Sequence, residues 1–297
     1  MAKTLRIGVI GLGIGGHHAE HFAKLPGCVV AALSDLNPER LAAMGDKLGV
    51  AARFTDPIAM LDQVPLDAVA VATPNKFHAP LTIAALKRGC HVFCEKPMAM
   101  TLAEARAMKA AAVKARRNLM IDLSYRFNPM SAALKQQVES GLVGPIYFGR
   151  TVWHRQRGMP KFGGWFGNRD LAGGGPLIDL GVHRIDLALW LMGHPEPVSV
   201  SGSTYNVIAR RLALQQKKVF TVEDLACGIV KFANGATLIV EASWALNVQE
   251  PEQMITTLYG EKGAIVQKNV GGGYQFQAEL VTEEKGGLFT KTLNRTL

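Results

Sequence analysis

The sequence predicts an α/β fold in two parts: an N-terminal doubly wound parallel sheet over residues 1–123, then a C-terminal open, mainly antiparallel sheet domain of α+β type over residues 124–297. Three observations carry this. Strand and helix patterns alternate through the first 120 or so residues, which calls for parallel strands joined by right-handed crossovers. A Gly-x-Gly-x-x-Gly run closes the first strand pattern. After Asn128 the alternation gives way to strand-rich sequence, with Asn234-Gly235 as a two-residue hairpin signal.

The elements follow in order. Leu5 to Ile10 reads as a buried strand, bounded by Gly11-Leu12-Gly13-Ile14-Gly15-Gly16, and a helical pattern runs from Gly15 to Leu25. The second strand, Val29 to Ser34, ends at Asp35, 19 residues beyond Gly16. The three glycines of the motif allow, in turn, a tight turn, close backbone approach to a pyrophosphate, and close helix-to-strand packing. The helix start presents free N–H groups and a positive dipole end to phosphate, and an acid at Asp35 accepts from ribose hydroxyls. This is the reading of a dinucleotide-binding Rossmann unit, with Gly11, Leu12, Gly13, Ile14, Gly16 and Asp35 at the cofactor. Further strands are predicted at Ala68–Ala72, His91–Phe93 and Leu119–Leu123, and helices at Pro38–Leu48, Pro57–Leu61, Ala79–Arg88 and Leu102–Arg116. Asn37-Pro38 is a cap followed by a first-turn proline, and Thr101-x-x-Glu104 is a capping box.

Beyond Asn128-Pro129 a short helix is predicted toward Gly141, then strands over Ile146–Trp153 and two between Glu223 and Ala245. Leu238, Val240, Ala242, Trp244 and Leu246 give one continuously apolar face, as expected of a sheet lying on helices; the mixed opposite face suits a subunit contact. Gly271-Gly272-Gly273 and Gly286-Gly287 read as turns. The stretch Glu283–Leu297 is polar.

Two segments carry the chemistry. Gly173-Gly174-Gly175 runs into an apolar helical pattern bearing Asp179, His183 and Asp186, spaced so that all three share one face of an α-helix. A carboxylate and an imidazole held together suit proton transfer. Thr73-Pro74-Asn75 with His78, and Glu95-Lys96-Pro97, each follow a predicted strand, so both segments fall at the carboxyl edge of the parallel sheet, where doubly wound folds bind ligands.

At 297 residues, 48% of them hydrophobic, the chain can bury one large or two medium cores. No apolar run reaches bilayer-spanning length and the first residues lead directly into a strand, so a cytoplasmic protein without membrane attachment is expected. The four cysteines are scattered; Cys90 and Cys94 read as small buried apolar residues rather than zinc ligands. The net charge of +9 is dispersed and not interleaved with aromatics, which argues against nucleic acid. His17, His18 and His21 read as capping, packing or exposed residues of the cofactor helix, and no metal is called for.

Taken together, Gly11-x-Gly13-x-x-Gly16, Asp35, Thr73-Pro74-Asn75 with His78, Glu95-Lys96-Pro97, Tyr125-Arg126-Phe127-Asn128-Pro129 and the triple glycine with Asp179-x-x-x-His183 resemble the motif set of the Gfo/Idh/MocA family, over roughly residues 5–265. The resemblance implies NAD(P)-dependent oxidation or reduction of hydroxyl and keto groups of sugars and cyclitols, and a homodimer or homotetramer packed through the C-terminal sheet. It implies that Lys96, Asp179 and His183 are catalytic, with either Lys96 or His183 as the proton acceptor, and that the Lys96–Pro97 bond is cis. Thr73, Pro74, Asn75, His78, Glu95 and Arg126 are then cofactor contacts. A carboxylate at Asp35 favours NAD over NADP, with Arg40 placed to stack on adenine.

Residues 153–170, with four Arg/Lys and one acid, should line the substrate side, so an anionic polyol or sugar is one expectation; Arg155, Trp165 and Arg169 are the candidate contacts. Two other readings stay open at this point: a glycosidase or epimerase that keeps its NAD through a closed redox cycle, and a non-enzymatic cofactor sensor.

Overall fold

A computed structural model describes residues 3–293 as two compact units, each with its own sheet. The first runs to Asp122 and also takes in Asp170–Gly173; the second holds Leu123–Arg169 and the chain from Gly174 onward.

The first unit alternates throughout: β1 (Leu5–Ile10), α1 (Gly15–Phe22), β2 (Cys28–Ser34), α2 (Pro38–Leu48), β3 (Arg53–Phe54), α3 (Pro57–Gln63), β4 (Ala68–Val71), α4 (His78–Lys87), β5 (His91–Cys94), α5 (Leu102–Ala115) and β6 (Leu119–Ile121). The six strands are parallel in the order β3-β2-β1-β4-β5-β6, so the order reverses between β1 and β4, opening the crevice of a doubly wound sheet. Strand alternation sends Ile10, Val69 and Val71 into the core on one face and Ile7, Val9 and Ala70 into the core on the other. The caps form as the sequence demands. Asn37 Oδ1 accepts from Arg40 N at 2.9 Å, and Thr101 and Glu104 complete a reciprocal capping box. Cys90 and Cys94 are free and buried, and burial pushes the Cys94 thiol up to about 12. The two-residue β3 is too short to leave a periodic signature in the sequence.

The second unit contains α6 (Pro129–Glu139), β7 (Ile146–Arg155), the start of the short α7 (Arg169–Ala172), α8 (Val182–Leu191), β8 (Pro197–Tyr205), α9 (Ile208–Gln215), β9 (Leu225–Phe232), β10 (Thr237–Ser243), β11 (Glu252–Gly260), β12 (Gly263–Val270), β13 (Gln275–Glu284) and β14 (Gly287–Leu293). Its eight strands run in the order β14-β13-β12-β11-β7-β10-β9-β8, antiparallel except where β7 meets β10. The β9–β10 hairpin turns at Asn234-Gly235, with Gly235 at φ +86°, and Leu238, Val240, Ala242 and Trp244 are buried on the helix-covered face. α6 lies against β13, and α8 against β7 and β11. The polar end of the chain is a strand as far as Leu293, pairing with β13. Residues 288–292 of this edge strand are all exposed, so no buried–exposed alternation marks it as a strand in the sequence. Residues 294–297, which complete that stretch, lie outside the described residues. Among the described residues no helix is long and apolar enough to cross a membrane.

Candidate active site

In the first unit the glycine loop and Asp35 form one hydrogen-bonded piece. Gly11 has φ +85°, and a Cβ there would stand 2.5 Å from the Ala72 carbonyl oxygen at the end of β4, so only glycine closes this turn against the neighbouring strand. A Cβ on Gly13 would meet nothing within 4 Å; the loop faces open space where a phosphate would approach. Asp35, nearly buried, accepts from Leu12 N at 2.6 Å and from Asn37 N at 2.8 Å, and Arg40 Nη1 stands 3.3 Å from its Oδ2. A carboxylate accepts about four hydrogen bonds, which leaves capacity for a ribose hydroxyl. Thr73 Oγ1, at the end of β4, is buried without a partner among the described residues. Open backbone at Gly13, an anchored acid and an orphaned hydroxyl on one sheet edge fit a dinucleotide.

The Glu95-Lys96-Pro97 turn follows β5, and the Lys96–Pro97 bond is cis. Glu95 Oε2 accepts from Lys96 N at 3.1 Å. His78 lies on the other side of the turn, its Nδ1 2.7 Å from the Pro97 carbonyl oxygen and its Nε2 2.9 Å from that of Thr73. His78 is entirely enclosed; burial lowers its pKa against the pull of the two carbonyls, and it has no surface left for a cofactor. The expected cofactor contact at His78 is therefore corrected to a brace between the two segments. Asn75 is likewise nearly buried, and its Nδ2 donates to Ala172 O at 2.8 Å, which ties the 170–173 segment to this edge. Gly173, at φ +81°, packs against Met100.

His18 takes the packing role, one of those expected for the histidines of the cofactor helix, and adds an ion pair to it. It neither caps nor lies free on the cofactor helix: its Nε2 is 2.7 Å from Glu95 Oε1 and 3.8 Å from Asp122 Oδ2, and its ring meets Phe93 edge-on. Burial opposes charge on His18, but Glu95 and Asp122 override it and raise its pKa; the same pairing holds Glu95 below the usual carboxylate range despite burial. Asp122 shifts upward, first through burial and then through the Glu95 charge.

In the second unit the helix bearing Asp179 and His183 is not regular. Leu177–Gly181 is a π-helical turn that passes into α8, so the uniform α spacing expected for Asp179, His183 and Asp186 is replaced by a wider turn, a feature common at functional sites. Asp179 Oδ2 accepts from Trp244 Nε1 at 2.9 Å. His183 packs 5.2 Å from the Tyr125 ring and 5.8 Å from that of Trp153. Asp186 turns away and pairs bidentately with Arg126, whose Nε donates at 2.6 Å.

Arg155 lies over the Trp153 ring, donates to Glu252 Oε1 at 2.6 Å, and is close enough to feel the Asp179 carboxylate. Trp165 stacks on Phe166 at 3.8 Å, and Phe166 meets Trp244 edge-on, which links it to Asp179. Arg169 is exposed, with its backbone N–H donating to Thr221 Oγ1.

Sequence reasoning missed Arg184. It follows His183 directly, is fully buried, and donates to Gln267 Oε1 at 3.1 Å and Thr256 Oγ1 at 2.6 Å, with its guanidinium 5.6 Å from the Tyr125 ring centre. Burial draws its pKa down to about 10, which still leaves a cation at neutral pH. Glu252, Trp244 and Asp122 were also missed. The available signal for Arg184 and Glu252 was a charge at a position the strand or helix period assigns to the core.

Comparison with known proteins agrees with this geometry. Residues 5–123 match an oxidoreductase family with an NAD-binding Rossmann fold, and residues 131–266 match the GFO/IDH/MocA C-terminal domain. The chain belongs to the Gfo/Idh/MocA family. As in that family, its first unit is an NAD-binding Rossmann domain. Among Gfo/Idh/MocA relatives it is 36% identical to a D-glucoside 3-dehydrogenase of Escherichia coli K12, spanning 97% of this chain and 82% of the relative. It is 31% identical to a myo-inositol 2-dehydrogenase of Thermotoga maritima, over 95% of this chain and 79% of the relative. A solved levoglucosan dehydrogenase in complex with NADH and L-sorbose superposes with a TM-score of 0.87 at 27% identity, covering 99% of this chain and 80% of the other. Family and fold, read first from the motifs, are both borne out.

Proposed function

We propose that this protein is a dehydrogenase that moves a hydride between NAD and a secondary alcohol of a sugar, glycoside or cyclitol, with Lys96, Asp179 and His183 as its catalytic set. The observation that carries it is likeness along nearly the whole chain to proteins named as glucoside and inositol dehydrogenases. NAD, when bound, supplies the hydride acceptor. The Gly11–Gly16 loop, with Leu12 and Ile14, holds its pyrophosphate against the start of α1; Asp35 and Arg40 take the adenosine end, and Thr73 and Pro74 line the sheet edge. Glu95 and Arg126, first expected at the cofactor, act through Lys96 and Asp186.

The protein's own groups do the rest. Hydride leaves a carbon only as its hydroxyl proton is taken, so a group with a pKa near 7 must touch that oxygen. We assign that step to His183. Lys96 contributes an ammonium that stabilises developing alkoxide, and Asp179, oriented by the Trp244 indole, holds a neighbouring hydroxyl. Arg155 is compensated by Glu252, which favours a neutral glycoside over an anionic one. The open face of the second sheet, with Ile229 and Tyr259 exposed on it, is proposed as the subunit contact; Tyr259→Glu should shift the assembly to a smaller species in light scattering.

The test is reduced-nicotinamide absorbance with NAD and a panel of glycosides, sugar acids and cyclitols. Turnover with neutral glycosides or cyclitols is expected. Silence across the panel, with NADH still binding, would overturn the dehydrogenase reading in favour of a closed-cycle enzyme or a sensor.

A further inference from the structure

Three ionisable side chains from different elements of the first unit converge beneath the Lys96 turn. His18 comes from the first turns of α1, two residues after Gly16; Glu95 follows β5; Asp122 follows β6. Their ligating atoms lie within 4.8 Å of one another. A divalent ion accepts such a spacing, but the His18 imidazole already accounts for it, 2.7 Å from Glu95 Oε1 and 3.8 Å from Asp122 Oδ2. Glu95 is buried and divides its two oxygens, one to the His18 imidazole and the other to the backbone N–H of Lys96. On the far side of the turn His78 reaches the carbonyl of Pro97. The backbone carrying Lys96 is thus held by two histidines, one acting directly and one through a carboxylate.

We propose that His18 is a positioning residue for Lys96, fixing the Glu95-Lys96-Pro97 turn through Glu95 to the helix that opens the dinucleotide loop. This rests on the reading that Lys96 acts at the reacting oxygen. Without the imidazole, Glu95 is a buried carboxylate that has lost its strong side-chain donor. Desolvation then favours its protonated form, and a protonated or reoriented carboxyl no longer fixes the Lys96 N–H. The charged groups facing His18 are Glu95 and Asp122; Lys96 acts on Glu95 from the other side, and Phe93 supplies an uncharged wall. The ammonium sits at the end of a flexible four-carbon stem, so a small turn displacement is felt at its tip.

The experiment is a cycle of His18→Leu, His18→Gln, Lys96→Ala and the double variant His18→Leu/Lys96→Ala. NAD reduction is read at saturating NAD and substrate, over hours for the slow variants, with NADH affinity read by fluorescence. His18→Leu should lower kcat on the order of 100-fold, the cost of a misplaced catalytic group, while NADH affinity stays within about threefold. His18→Gln, which restores an N–H donor to Glu95, should recover most of kcat and remove any His18 limb from the pH profile. In the Lys96→Ala background His18→Leu should cost nothing more.

An equal further loss in that background, or loss of NADH affinity in step with kcat, would overturn the positioning role while leaving Lys96 catalytic. Full turnover by Lys96→Ala would overturn the reading of the site itself. Inactivation by a chelator, reversed by a divalent cation, would assign the three side chains to a metal instead.

Discussion

The two units handle polar groups in opposite ways. In the first, the functional polar atoms gather at the carboxyl edge of a parallel sheet whose two cores stay apolar: the Gly11 turn, Asp35, Thr73 and the Lys96 turn all follow strands. Side chains such as Asp35 and Glu95 there hold backbone N–H groups of the turns. In the second unit polar groups pass through the interior. Thr151, Thr256, Gln267 and Arg184 form a buried layer between the sheet and α8, and Thr151 Oγ1 bonds both Thr256 and the Arg184 carbonyl. A parallel sheet comes with a crevice where strand order reverses. An antiparallel sheet has none, so the helix carrying His183 must be located by a polar core that tolerates only one seating. Buried polar networks of this kind are costly when partly satisfied, which makes them specific.

That contrast can be broken most sharply by removing one reactive group from each unit. Lys96→Ala and His183→Ala should each lower kcat by about 10²- to 10⁴-fold, the range for a lost acid–base or charge-stabilising group, with NADH affinity nearly unchanged in both. Loss of NADH affinity in His183→Ala would put cofactor contacts into the second unit's role.

Core truncation probes the scaffolds. Leu86→Ala and Leu238→Ala each remove a fully buried side chain and should each cost about 2–5 kcal/mol. Hydrogen exchange should show the protection loss concentrated in the sheet that holds the truncated residue.

Acid sharpens the comparison further. Glu241, on the outer face of the second sheet, is held at about 2 by the His154 ring, 3.2 Å away, and by Arg150. A carboxylate depressed in the folded state contributes stability that is present above its unfolded value near 4.5 and lost as pH falls toward 2, worth at most about 3 kcal/mol. His18 has the opposite sign: raised in the folded state, it stabilises fully below 6.5, and that contribution fades as pH rises through its folded value. Glu241→Gln should flatten the acid limb measured by denaturant titration, lowering stability above about pH 4.5 and leaving the slope on the alkaline side unchanged.

The smallest effect is the most diagnostic of the cofactor end. Asp35→Ser, with Arg40 retained, should shift the NAD-to-NADP preference toward NADP by about tenfold, or ~1.4 kcal/mol. An unchanged ratio would remove Asp35 from the ribose.

The first unit was largely legible in the sequence because its determinants are local. Gly11-x-Gly13-x-x-Gly16, Asn37-Pro38 and Thr101-x-x-Glu104 each act within one or two turns, and the structure forms them as written. The Asn234-Gly235 hairpin was legible for the same reason. What stayed hidden depends on side chains far apart in sequence: His18 meets Glu95 across 77 positions, Trp153 meets Glu252 across 99, and Arg184 meets Gln267 across 83. His18 stood among three histidines on one helix with nothing local to single it out. The π-helical turn at Leu177–Gly181 was hidden too, since the same residues fit a regular α pattern and only packing around Trp244 and Ala242 distinguishes the two.

The central claim is direct hydride transfer from a secondary carbon of a neutral sugar derivative, and isotope transfer tests it most directly. The wild-type protein would be incubated with NAD and a methyl glucoside carrying deuterium at its ring secondary carbons, and the nicotinamide product analysed by mass spectrometry. The account predicts deuterium in the reduced nicotinamide, matched by a keto sugar. Glucoside and NAD both bound, with no deuterium on the nicotinamide and no keto product, would contradict it.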